Sequence, residues 1–81
     1  MATVIFSSGL RQLTGASDEV HIEAANYRAA IRELRQQFPE LTDSVLDKLG
    51  IAIDGVMIHS PLLETFGPDS ELVFIPKITG G

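Results

Sequence analysis

The three residues at the end of the chain, Thr79-Gly80-Gly81, offer the clearest chemistry in the sequence. Neither glycine has a Cβ, so the pair can pass through a narrow channel and leave its terminal carbonyl open to attack. At an average glycine usage of about 7%, a Gly-Gly ending arises by chance about once in two hundred chains. Activation of such a carboxylate at phosphorus gives an acyl-adenylate, a mixed anhydride that sulfide, a thiolate or an amine displaces. A frayed end is the alternative reading of the same residues.

Other constellations are weaker. Gly50 and Gly55 are spaced as in a phosphate-binding loop, but Val56 and Met57 stand where Lys and Ser or Thr are required, so a hairpin is the better reading. His21 and Glu23 share a strand face and, with His59, could in principle ligate a metal; three scattered ligands without a pairing motif read instead as surface residues, and no metal site is expected. Ser7 and Ser8 precede Gly9 with no base nearby to activate a hydroxyl, and a turn accounts for them. Arg28, Arg32 and Arg35 form a basic stripe whose ordinary meaning is a solvated helix face.

The elements that would position these residues follow from periodicity. Thr3 to Phe6 is β-branched and aromatic, and Val20 to Glu23 alternates apolar and polar, so two strands are expected with a long glycine-bearing loop between them. From Asn26 the period changes: Tyr27, Ala30, Ile31, Leu34 and Phe38 lie on one helical face, and Pro39 ends the helix. Leu41, Val45, Leu46 and Leu49 predict a short second helix or compact loop stopped by Gly50. Asp54-Gly55 between Ile51-Ala52-Ile53 and Val56-Met57-Ile58 predicts a hairpin through a turn with two positive φ angles. Pro61 to Phe66 reads as a turn of helix, and Leu72 to Ile75 as a last strand stopped by Pro76.

These elements predict an α+β fold, a mixed sheet with one main helix on one face. Alternation places Thr3, Ile5 and Ser7, and likewise Glu71, Val73 and Ile75, on the uncovered face. Ile5, Val73 and Ile75 are then expected to form an exposed apolar patch if the first and last strands are neighbours.

Composition sets the bounds. The chain has 81 residues, enough for a single domain, with 44% hydrophobic and 21% charged residues, a globular rather than disordered balance. It contains no cysteine, which excludes disulfides, thiolate-bound zinc and a cysteine nucleophile and fits a reducing cytosol. No apolar run reaches the ~20 residues of a membrane span, and Met1 to Phe6 lacks the pattern of a signal peptide, so a cytoplasmic protein is expected. A net charge of −5 opposes binding to nucleic acid or anionic lipid and favours a partner with a basic docking face.

The run Gly9-Leu10-Arg11-Gln12-Leu13-Thr14-Gly15, the helix after it, Asp69-Ser70-Glu71-Leu72-Val73-Phe74-Ile75-Pro76 and the Thr79-Gly80-Gly81 end together resemble the ubiquitin-like sulfur carriers, most closely the small-subunit family of molybdopterin synthase. The resemblance implies a β-grasp domain over residues 1–81 with a flexible tail at 77–81. It implies that an ATP-dependent adenylating enzyme activates Gly81, that a sulfur donor protein converts it to a thiocarboxylate, and that a large catalytic subunit uses the sulfur in molybdenum cofactor synthesis. ATP is consumed by the partner, and no cofactor is bound by the chain. By position, Gly81 bears the sulfur, while Gly80, Thr79, Ile78 and Lys77 form the threaded tail and Ile75, Val73 and Ile5 the docking face. Related carriers serve thiamine, cysteine or thiolated tRNA synthesis, and a protein modifier forming isopeptide bonds uses the same kind of tail. In either role the chain is a co-substrate or donor subunit, with the catalytic side chains on its partners.

Overall fold

The strand and helix periods of the sequence are realised over residues 1–7 and 19–76, the part of the chain that the computed structural model describes. In order these are β1 (Ala2–Phe6), β2 (Glu19–Ile22), α1 (Tyr27–Gln37), α2 (Asp43–Leu46), β3 (Leu49–Ile53), β4 (Val56–Ile58), a 3₁₀ turn (Pro61–Leu63) and β5 (Glu71–Pro76). The strands form one sheet in the order β2-β1-β5-β3-β4. β1 and β5 pair in parallel, and the other neighbours are antiparallel.

Alternation decides the two faces. Val4 and Phe6, Val20 and Ile22, Ile51 and Ile53, and Leu72 and Phe74 are buried in a single core that also takes Ala30, Ile31 and Leu34 of α1. Phe6 stacks on Phe74 with ring centres 5.5 Å apart and meets Phe38 edge-on at 5.7 Å, so the last apolar residue of the helical stripe closes one end of the core. Asn26 caps α1 by accepting from the Ala29 amide at 2.9 Å. At the other end Phe38 N–H donates to the Leu34 carbonyl, and Pro39 cannot prolong the ladder. Midway along α1, the Glu33 carboxylate accepts from the amides of Glu23 and Ala24, which ties the end of β2 to the helix.

Two expectations need correction. Gly50 does not stop a helix: α2 ends at Leu46, and Gly50 is the second residue of β3, paired with Ile75. The leucines at 46 and 49 satisfy a helical spacing, but a glycine without a side chain fits equally well into a strand where neighbours crowd its position. Arg35 is not merely solvated. Its Nε donates to the Leu41 carbonyl at 2.6 Å and its guanidinium pairs with Asp43 at 2.5 Å, so it fastens the turn between α1 and α2, while Arg28 and Arg32 are exposed.

The Asp-Gly hairpin forms as expected, with φ of 50° at Asp54 and 83° at Gly55. It is also bolted to β5. The Asp54 carboxylate accepts from the Ser70 hydroxyl at 2.8 Å and the Glu71 amide at 2.9 Å, and the Asp54 amide donates to the Glu71 carbonyl at 2.9 Å. The hydroxyl of buried Ser70 accepts in turn from the Gly67 amide at 3.0 Å.

Candidate functional site

The register brings the three predicted docking residues together. Ile5 of β1 lies opposite Val73 of β5, Val73 opposite Ala52 of β3, and Ala52 opposite Met57 of β4. This makes a continuous row across four strands on the outer face, ended at the β2 edge by Glu19, the partner of Ile5. Ile75 stands in the next row opposite Gly50. A Cβ placed on Gly50 would lie 3.4 Å from Met57 Cε and 3.6 Å from Ile75 Cγ1, so those two side chains close over the glycine.

The expected exposure is redistributed. Ile5, Val73 and Ile75 are half-buried because neighbours on the same face cover one another, whereas Met57 is 53% exposed and carries more of the free apolar surface. Met57, Ala52 and Gly50 are the members of the face that the sequence reading missed. The signal was available, since a two-residue Asp-Gly loop fixes Ile53 opposite Val56 and Ala52 opposite Met57.

At the end of the sheet where β5 finishes, a groove of about 620 Å³ opens beside this face. Leu46, Leu49, Ile51, Ile58 and Phe74 supply its apolar wall, Gly50, Met57, Ile75 and Pro76 border the outer face, and Tyr27, Asp47 and His59 are its polar members. Burial raises the Tyr27 phenol above its ordinary value, Arg35 opposes the shift and Asp47 adds to it. At the opposite end of β5, the Glu71 amide and then the Ser70 hydroxyl hold the Asp54 carboxyl below its ordinary value, against a smaller opposing effect of desolvation.

The remaining expectations divide cleanly. Gly50 and Gly55 sit in a strand and a hairpin turn, with no helix N-terminus to cradle a phosphate. His21 hydrogen-bonds Glu19 at 3.0 Å on the β2 edge, while His59 follows β4 at the opposite edge of the sheet, too far apart to share a metal. Among the described residues no group of three or more metal-binding side chains converges. None of the described helices is long and apolar enough to cross a membrane. The tail residues Lys77, Ile78, Thr79, Gly80 and Gly81, and the loop from Gly9 to Gly15, lie outside the described residues.

A five-stranded mixed sheet holding one main helix on its inner face is the β-grasp fold of ubiquitin-like proteins. No family model matches the sequence, and no curated protein does. Among solved structures, CysO from Mycobacterium tuberculosis, an antigen, is similar with a TM-score of 0.82 at 16% identity, covering 96% of this chain and 100% of that one. A chain of the Amycolatopsis orientalis BexX/CysO complex matches with a TM-score of 0.79 at 15% identity over 100% of both chains. The small archaeal modifier protein 1 of Methanosarcina acetivorans matches with a TM-score of 0.78 at 19% identity, covering 99% of this chain and 95% of that one.

Proposed function

We propose that this chain is a ubiquitin-like sulfur carrier that donates sulfur in molybdopterin synthesis. In this reading an adenylating enzyme joins the Gly81 carboxylate to AMP at the expense of ATP, releasing pyrophosphate. A sulfur nucleophile from a donor protein then attacks the acyl carbon and expels AMP, leaving a thiocarboxylate after the carbon–sulfur bond is secured. The chain supplies the carboxylate and the docking face, and the catalytic side chains are the partners'. The observation that carries the proposal is the apolar row of Ile5, Val73, Ala52 and Met57, with Ile75 beside it on the strand that leads through Pro76 to Thr79-Gly80-Gly81. An apolar face of this kind, rimmed by charge, is a protein-binding surface. A protein of the same fold occurs in complex with a second protein, BexX, which supports a partnered role.

The test is an incubation with an adenylating enzyme, ATP and a sulfur source, followed by intact mass measurement. The full chain gains the mass of one oxygen-to-sulfur exchange, and a chain lacking Gly80 and Gly81 does not. Equal modification of both chains removes the proposal.

The second reading is a protein modifier, favoured by the likeness to an archaeal protein named as one. There a lysine amine displaces AMP and an isopeptide bond forms. Ladders of conjugates on a denaturing gel, abolished by loss of Gly80 and Gly81, support it over the carrier.

A further inference from the structure

We infer that the groove at the exit end of the sheet is a second anchor point, a socket for an apolar side chain of the tail-binding partner that is flanked by Lys or Arg. The inference rests on the reading that a partner engages the tail. Three observations place the socket. Pro76, the last residue of β5, lines the groove, so a partner that holds the residues after Pro76 must pass its mouth. The groove is continuous with the outer face through Gly50, Met57 and Ile75, where the missing Cβ of Gly50 leaves a notch between two apolar side chains. Its wall is apolar, which suits a leucine- or phenylalanine-sized side chain rather than a polar one.

Charge decides the flanking residues. Asp47 is exposed at the groove, on a chain whose net charge is −5. A cation beside the apolar side chain therefore gains attraction on approach, whereas an acidic neighbour is repelled. Tyr27 and His59 complete the polar rim.

The measurement is calorimetric binding of the full chain to the adenylating enzyme of the mass assay, at low and high salt. Asp47→Lys reverses the rim charge without touching the core, and Asp69→Lys, in the exposed loop before β5, makes the same change in net charge at the far end of the sheet. The socket predicts that Asp47→Lys weakens binding roughly three- to tenfold at low salt and less at high salt, while Asp69→Lys stays near wild type. Gly50→Ala fills the notch. Its φ is not in the left-handed region and its new contacts are near ordinary van der Waals distance, so it should melt no lower than wild type yet bind more weakly. Equal effects of the two lysine variants, or wild-type binding by both Asp47→Lys and Gly50→Ala, overturn the socket alone. Failure of the wild-type chain to bind the adenylating enzyme overturns the proposed function and the socket with it.

Discussion

Ile75→Asp separates a docking residue from a core residue. Ile75 lies on the outer face opposite Gly50, half-buried, with its Cγ1 over the glycine and Met57 beside it. Full burial of an isoleucine is worth about 1.5–3 kcal/mol, so removing the side chain from a partly covered site costs about 1–2 kcal/mol. The new carboxylate faces open solvent on this side of the sheet and keeps its hydration, which spares it the cost of an unpaired buried charge. For a domain of this size, each kcal/mol moves the melting temperature by about 4–8 °C, so a drop of roughly 5–15 °C is expected with the fold retained. Binding suffers more, because a docked partner strips water from the carboxylate without supplying a counter-charge at an apolar centre. Circular dichroism melts and the adenylation assay, run on the same preparation, measure both. An Ile75→Asp chain that is unfolded at 25 °C would place the residue in the core, and a folded one adenylated at the wild-type rate would remove it from the interface.

Leu34, fully buried on α1, should lose about 2–5 kcal/mol on truncation to Ala, read as a shift in the urea midpoint; a loss under about 1 kcal/mol would contradict the helix phase. Arg35→Ala should cost about 1–2 kcal/mol, more than a solvated arginine, because the Leu41 carbonyl loses a charged donor; the exposed Asp43 partner adds little, and an unchanged midpoint would count against the tether. Asp54 is held below its ordinary value by Glu71 N–H and the Ser70 hydroxyl, so the unfolded chain takes up the proton first as pH falls. The resulting stability is present in full above the unfolded value, near about 3.9, and is lost as pH drops through the lower folded value. The melting gap between wild type and Asp54→Asn should therefore be steady near neutrality and close in acid; a gap unchanged down to about pH 3 would refute the clamp.

What was legible in the sequence was local. The helical face from Tyr27 to Phe38 and the inward set Val4, Phe6, Leu72 and Phe74 follow from periods of 3.6 and 2, because one side of each element is buried and the other is not. The outward set was readable for the same reason, marked by Thr3 and Glu71. Strand order was not, since the parallel pairing of β1 with β5 joins residues about seventy positions apart and leaves no local trace. That pairing is what brings Ile5 beside Val73. Gly50 was misread because absence of a side chain carries no period, and only Met57 and Ile75, meeting above it, reveal why the position is empty. Arg35 was misread because its partners, a backbone carbonyl and an exposed aspartate, lie in a turn whose path the helical pattern does not specify.

The topology also bears on how a tail could be presented. β5 is an interior strand, flanked by β1 and β3, so its backbone is paired on both sides up to the last residues. Leu72 and Phe74 are almost completely buried, and pulling the strand out would expose both at a cost of about 1.5–3 kcal/mol each before any ladder bond is broken. At the other end of the strand, Asp54 and Ser70 bind its first residue to the hairpin turn. A partner therefore meets β5 as a fixed strand. Peeling the strand is the costly route, so the partner gains most by reading the outer face of Val73 and Ile75 as it stands and taking whatever follows Pro76 from a defined point of departure.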